Sequence, residues 1–390
     1  MTHFNVLVLN QISQNGLSRL PADRYSVGKN LPQPAAVLVR SADMHSMDIP
    51  GSVQAIARAG AGTNNIPVKA MSQRGIPVFN APGANANAVK ELVLTGMLLA
   101  ARNVPAALRF VATLDTDMVD MDKKVEEGKK AFAGFELAGQ TLGIVGLGKV
   151  GCLVADAAIK LGMKVLGYDP EITVDAAWSL PSQVKKASSV SEVLRNANFV
   201  TLHVPLVDAT RHLVNADNIS LMKQGAVLLN FSRDGVVSKS AVLSALDKQL
   251  AAYVCDFPSS TINAHQRVIA LPHLGASTRE AEENCAVMAV EELRDYLEHG
   301  NVVNSVNFPS VSMARESNYR VAISNANVPN MLGQISTAMA RAGLNIHNMV
   351  NKSRGDVAYT LVDVDSPIAP GVLSDIAAIE GVLAVRYLRL

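Results

Sequence analysis

Short apolar runs alternate with longer mixed segments along most of this chain. In the first hundred residues, "FNVLVLN", "AAVLVR", "VQAIARAG" and "IPVFNAP" read as buried strands separated by segments long enough for short helices, the rhythm of a parallel α/β lobe. From Ala88 to Asn103 apolar residues recur at helical spacing on nearly every side, which predicts a buried helix leading into a second lobe. Strand and helix alternation resumes at Thr141 and continues to about residue 275. Within "AAYVCDFPSSTINAHQRVIALPHLGAST" two β-branched runs end at Asp256 and His273, each beside a proline. The acidic helix of "TREAEENCAVMAVEELRDYLEHG" stops at Gly300.

Beyond "NSVNFPSVSMARES" lies a distinct tail. "YRVAISNA" and "AYTLVDV" read as strands, "MLGQISTAMARAG" as a helix ended by Gly343, and "VLSDIAAIEGVLAVRYLRL" as helix then strand. The order is βαββαβ, that of a small ferredoxin-like domain. Residues 104–140, with the run "MDKKVEEGKK", read as a solvated helix face without chemistry.

Composition narrows the choice of function. A chain of 390 residues has room for two or three cores, and 49% hydrophobic with 18% charged residues leaves little room for disorder. A net charge of +1 gives no electrostatic footprint for nucleic acid or an anionic membrane. Cys152, Cys255 and Cys285 lie far apart without a C-x-x-C pair, which suggests neither a metal site nor a disulfide framework. The N-terminal run lacks a basic flank, and "ELVLTGMLLAA" falls short of the ~18 apolar residues of a membrane span, so a cytoplasmic protein is expected.

Chemistry enters with "TLGIVGLGKVGCLVADAAIKLGMKVLGYDP". Gly146-x-Gly148-x-x-Gly151 follows a strand-like run and opens a helical one, the context that marks a dinucleotide site. Gly146 permits the tight turn, Gly148 lets the backbone approach a pyrophosphate, and Gly151 allows close helix packing. Asp169, eighteen residues after Gly151, closes the next strand and suits the adenosine ribose hydroxyls. A carboxylate there repels a 2′-phosphate, and no arginine stands beside it, so NAD is expected over NADP.

Two further residues lie where ligands meet an α/β sheet. Arg233 in "GAVLLNFSRDGVV" follows a buried strand, and its planar fork suits a substrate carboxylate. His273 in "LPHLGAST" follows another, and an imidazole, which titrates near ~6.5 when unperturbed, suits proton exchange with a hydroxyl. Arginine for a carboxylate, histidine for a proton and NAD for a hydride together describe oxidation of a 2-hydroxy acid.

"VGLGKVG", "NFSRDGVV" and "LPHLGAST" resemble, in order and spacing, the D-2-hydroxyacid dehydrogenase family. "VRSAD", "ARAGAGTNNI" and "GIPVFNAPGANANAVKELV" are similar to the members that oxidise 3-phosphoglycerate (3-phospho-D-glycerate) to 3-phosphooxypyruvate at the entry to L-serine synthesis. The resemblance implies a flavodoxin-like substrate lobe of residues 1–98 and 276–305, a Rossmann NAD lobe of 99–275, a cleft between them, and an ACT domain over 318–390. It implies that Arg233 binds the carboxylate and His273 takes the hydroxyl proton. Arg40, Ser41, Arg58, the loop of Gly60, Ala61 and Gly62, and Asn85 would serve the substrate, with Asn80 bordering the cleft. Lys149, Val150, His203, Pro205, Phe231, Ser232, Asp256 and Gly275 would join the glycines around NAD. A homodimer or homotetramer is expected.

The family pattern D-x-F-x-x-E-P supplies a glutamate that hydrogen-bonds the histidine, but this chain reads "CDFPSST". Three alternatives stay open: Asp256 takes that role, Glu280 or Glu282 reaches back, or His273 works without a carboxylate. In the tail, Asn327 and Asn345 match two amide positions of ACT domains that bind serine, while Asn325 stands where some relatives carry a histidine and "VPNM" replaces the commoner Pro-Gly. A dimerisation module without a ligand is the alternative there. For the whole chain, the rivals are another D-2-hydroxy acid dehydrogenase, acting on glyoxylate, hydroxypyruvate or 2-hydroxyglutarate, and an NAD-sensing protein without catalysis.

Overall fold

A computed structural model describes residues 3–114 and 120–389; residues 115–119 of the polar stretch lie outside the described residues. The chain forms two compact units, Met1–Asn85 with Arg279–Leu390, and Ala86–Thr278. Both have α/β architecture with parallel sheets.

In the first unit, strands Phe4–Val8, Tyr25–Gly28, Ala36–Val39, Ala55–Arg58 and Val78–Phe79 form a parallel sheet. Tyr25–Gly28 lies on one edge, followed by Phe4–Val8 and then the others in chain order. Helix Arg279–His299 covers it with Cys285, Ala286, Ala289, Val290, Leu293 and Leu297. The small residues allow close approach: a Cβ at Gly16 would lie 2.7 Å from the Ala286 carbonyl carbon. Gly300, at φ +74°, ends the helix in the left-handed conformation that an L side chain rarely adopts.

The tail adds an antiparallel sheet in the order Ile346–Arg354, Val357–Val364, Tyr319–Ala326, Val382–Arg389. Its helices, Met331–Arg341 and Pro370–Ala377, share a core with Val321, Ile323, Val362 and Val364 on one face. The sheet's other face joins the core of the first lobe: Ala322, Tyr359, Leu361 and Leu388 pack with Tyr296 and Phe308. Arg320 and Asp363, both wholly buried, are register partners on that face. Arg320 donates through Nε to Asp363 Oδ1 at 2.6 Å and through Nη2 to Oδ2 at 2.8 Å. Its remaining donors reach the carbonyls of His299, Met313 and Ala314 at 3.0, 2.9 and 2.8 Å. Every guanidinium N–H is thereby satisfied, as a buried charge requires.

The second unit holds a seven-stranded parallel sheet in the order Val268–Ala270, Ala252–Cys255, Val227–Asn230, Phe199–Leu202, Thr141–Val145, Lys164–Tyr168, Lys185–Lys186. Helices Ala86–Ala101 and Lys149–Lys160 contribute to the core on one face, and Val190–Asn196 and Lys239–Lys248 to the core on the other. The predicted helix therefore starts two residues early and ends at Ala101. Asn103, at φ +50°, turns the chain into a second helix, Val104–Ala112, because asparagine tolerates the left-handed region. That helix and Met121–Gly128 contain no buried residue. Among the described residues no single helix is long and apolar enough to cross a membrane.

Breaking the buried pair from one side should be costly. Asp363→Ala leaves an uncompensated guanidinium and is expected to lower stability by about 3–5 kcal/mol in urea unfolding, whereas Arg320→Met with Asp363→Leu should cost far less.

Candidate active site

The order of the seven strands reverses between Thr141–Val145 and Phe199–Leu202, and ligands bind such sheets at this switch point. Gly146 leaves the first of these strands at φ +95°, and a Cβ there would lie 2.5 Å from the His203 carbonyl oxygen. A Cβ at Gly151 would meet the Gly146 carbonyl oxygen at 2.1 Å. Gly148 differs: its Cβ would enter open space at the start of helix Lys149–Lys160, where Lys149 and Val150 form the first turn. The turn is thus closed on the protein side and open where a pyrophosphate would meet the helix N-terminus. Asp169 accepts from the Leu147 and Glu171 N–H groups at 2.8 and 2.9 Å, which orients it and leaves acceptor capacity for ribose hydroxyls.

At the end of Phe199–Leu202, His203 Nε2 lies 3.1 Å from Thr201 Oγ1, and burial pushes the imidazole down to about 4, so it is neutral at pH 7. Pro205 follows and is exposed.

The next three strands carry the candidate catalytic groups at their C-terminal ends. After Val227–Asn230, the buried Asn230 arranges the loop: Oδ1 accepts from the Ser232 N–H and hydroxyl at 3.2 and 2.9 Å, and Nδ2 donates to the Arg233 carbonyl at 3.0 Å. Phe231 is buried, whereas Arg233 is exposed and donates to the Ser232 carbonyl at 2.6 Å. After Ala252–Cys255, Asp256 is 1% exposed and neither carboxylate oxygen has a hydrogen-bond partner. Burial pushes its carboxyl above the usual carboxylate range, opposed by the charges of His273 and Arg233 and by the backbone at Gly275. A Cβ at Gly275 would lie 3.5 Å from Asp256 Oδ2. After Val268–Ala270, the exposed His273 ring meets the Phe257 ring edge-on, with centroids 5.2 Å apart.

Asp256 thus shares an electrostatic neighbourhood with His273 without a hydrogen bond to it. The glutamates considered as substitutes have partners in the first unit, where Glu282 meets Arg40 at 2.5 Å and Glu280 meets Arg279 at 3.2 Å.

In the first unit, Arg40 and Ser41 begin the loop after Ala36–Val39. Asn10 Oδ1 gathers the N–H groups of Arg40, Ser41 and Ala42 at 3.2, 3.1 and 2.8 Å. Arg58 Nε donates to the Arg40 carbonyl at 2.9 Å, joining this loop to Gly60, Ala61 and Gly62. Asn80 Nδ2 donates to the Ala61 carbonyl, and Asn85 is half-buried before helix Ala86–Ala101. Asn10 and Asn230 escaped the sequence reading; an asparagine within three residues of a strand end is their only local signal.

The tail does not bring its three asparagines together. Asn325 and Asn327 line a cleft of about 200 Å³, and the buried Asn325 Oδ1 has no partner. Asn345 lies at the opposite end of the sheet, where its N–H donates to Asp365.

The second unit is a Rossmann dinucleotide-binding domain with ionisable groups beside its switch point. A family model described as "D-isomer specific 2-hydroxyacid dehydrogenase, NAD binding domain" matches residues 96–275. The D-3-phosphoglycerate dehydrogenase of Haemophilus influenzae is 34% identical over 343 residues, which is 84% of this chain and 79% of that protein. That of Methanocaldococcus jannaschii is 33% identical over 335 residues; the alignment covers 83% of this chain but only 60% of that relative's length. A solved NAD+-bound 3-phosphoglycerate dehydrogenase from Entamoeba histolytica is similar at 25% identity and TM-score 0.60, covering 78% of this chain and 99% of that one. This chain belongs to the D-isomer-specific 2-hydroxyacid dehydrogenase family, and its cofactor is NAD.

The two glycines should fail differently. Gly148→Val is expected to unfold at an unchanged urea midpoint but bind NADH at least about tenfold more weakly, read by energy transfer from the single tryptophan, Trp178. Gly151→Val, whose Cβ has no room, should lose about 1–3 kcal/mol of stability.

Proposed function

We propose that this chain oxidises 3-phospho-D-glycerate to 3-phosphooxypyruvate with NAD, supplying the first intermediate of the phosphorylated route to L-serine. The observation that carries the reaction type is the convergence of Arg233, Asp256 and His273 on the ends of three adjacent parallel strands. The particular substrate is supported by the likeness to D-3-phosphoglycerate dehydrogenases at about one third identity.

In this reading Arg233 holds the substrate carboxylate through paired hydrogen bonds and fixes the adjacent carbon. His273 removes the hydroxyl proton as the hydride leaves that carbon, and returns it in the reverse direction. NAD, when bound, supplies the hydride acceptor. Asp256 stands in for the missing glutamate through its field, since a nearby anion favours the imidazolium. Arg58 and Arg40 serve the phosphate, which competes with Glu282 for the Arg40 guanidinium.

The tail serves as an ACT-type regulatory domain. Because Asn345 lies away from Asn325 and Asn327 in one chain, a serine site using all three requires two chains, in keeping with a homo-oligomer.

Initial rates of NADH consumption with 3-phosphooxypyruvate, 2-oxoglutarate and glyoxylate test the assignment, with NADPH as control. Fast NADH-selective turnover of the phosphorylated acid is expected. Preference for an unphosphorylated acid would place the chain elsewhere in its family, and NADH binding without turnover would make it a sensor. Asp256→Asn is expected to lower oxidation at least about tenfold, because the imidazolium formed as His273 takes the hydroxyl proton loses its nearby anion. Unchanged turnover would remove Asp256 from the mechanism.

A further inference from the structure

Arg233 is exposed, so the loop beneath it has to set the direction of its guanidinium. Among the described residues its only side-chain hydrogen bond is the one it donates to the Ser232 carbonyl. That carbonyl belongs to the peptide joining Ser232 to Arg233. Whatever fixes this peptide plane therefore fixes the seat of the guanidinium.

One buried side chain holds the peptide from both sides. Asn230, wholly buried at the end of Val227–Asn230, accepts through Oδ1 from the Ser232 N–H and hydroxyl, upstream of the peptide. Through Nδ2 it donates to the Arg233 carbonyl, downstream of it, and makes a longer contact of 3.5 Å with the Tyr253 hydroxyl. The two acceptor and two donor capacities of the amide are thereby all committed. The Arg233 carbonyl takes a second donor, the Val236 N–H at 3.2 Å, from the short turn Asp234–Val236. Tyr253 lies on the neighbouring strand, two residues before Cys255, the register partner of Asn230, and is 2% exposed. Burial pushes its phenol above the usual range, so it stays an uncharged hydroxyl. Aspartate would match the shape of Asn230 but has no donor for the Arg233 carbonyl, and leucine has neither function.

We infer that Asn230, backed by Tyr253, is a positioning residue for the reaction: it fixes the Ser232–Arg233 peptide and, through it, the direction in which Arg233 meets the substrate carboxylate. The inference rests on the role proposed above for Arg233. Paired hydrogen bonds to a carboxylate need the planar fork correctly aimed, so a loosened peptide weakens the hold on the acid. The glycine turn and Asp169 follow strands two and three places away in the sheet, so the pyrophosphate and adenosine ends of NADH are spared.

Initial rates at saturating NADH, with the 2-oxo acid that the unsubstituted chain reduces fastest, test this in Asn230→Asp, Arg233→Lys and the double variant. NADH affinity is followed in parallel by energy transfer from Trp178. Asn230→Asp is expected to raise KM for the acid at least about tenfold while NADH affinity stays within about threefold. In the Arg233→Lys background the same change should add less than about twofold, because the fork that Asn230 aims is already gone. Should Asn230→Asp not fold, Tyr253→Phe carries the same pattern with a rise in KM of about threefold. An unchanged KM, an equal rise in both backgrounds, or NADH affinity falling as far as KM rises would overturn the proposal and leave the role of Arg233 standing. An unchanged KM in Arg233→Lys, or no 2-oxo acid reduced at all, would overturn it together with the reading of Arg233.

Discussion

Parallel strands can be joined only by crossovers that carry the chain back to the edge from which each strand started, so all their C-terminal ends face one side. In the second unit this single constraint gathers residues far apart in sequence. Gly146, His203, Arg233, Asp256 and His273 each lie within a few residues of the end of one of five adjacent strands. Because both faces of the sheet are covered by helices, the strands themselves are apolar and the chemistry is confined to these ends. The loops there are held by short side-chain braces, such as Asn230 on the Arg233 loop and Asp169 on the glycine turn.

The tail obeys a different constraint. An antiparallel sheet with helices on one face must cover or solvate the other, and here the other face is covered by the first lobe. Burying Arg320 and Asp363 in that contact is costly unless every donor is met, and the carbonyls of His299, Met313 and Ala314 meet them. The His299 carbonyl is free to accept because Gly300 ends the helix there, and those of Met313 and Ala314 belong to the irregular segment that follows. The segment between helix and tail is therefore structural: it supplies the backbone groups that hold the buried charge.

Much of this was legible because it depended on periodicity and local spacing. The glycine turn and its acidic partner declare themselves within some thirty residues of sequence, and the strand-end arginine and histidine each within its own short motif. What escaped depended on distant neighbours. The strand Ile346–Arg354, with the polar sequence "IHNMVNKSR", occupies a sheet edge and has no fully buried residue, so its few apolar positions create no clear alternation. Arg320, between Tyr319 and Val321, would be placed on a solvent face by alternation alone; only Asp363, paired with it across the sheet, makes its burial possible. Glu282, offered by chain proximity as a partner for His273, pairs with Arg40 through its position on helix Arg279–His299, a contact no local pattern announces.

In the proposed reading, the Asp256 carboxylate compensates for a missing residue without replacing it. A hydrogen-bonded glutamate would fix both the direction and the charge preference of an imidazole. In that reading those tasks fall to different groups: the Phe257 ring packs against His273, and the buried Asp256 carboxylate supplies the charge. A buried carboxylate of that kind is most costly when no cation faces it and least costly when one does. In the proposed oxidation, His273 becomes a cation as it takes the hydroxyl proton, so the step that needs an anion is also the step that relieves the buried one. The coupling acts through space and requires only that both groups remain at neighbouring strand ends, which the parallel sheet guarantees.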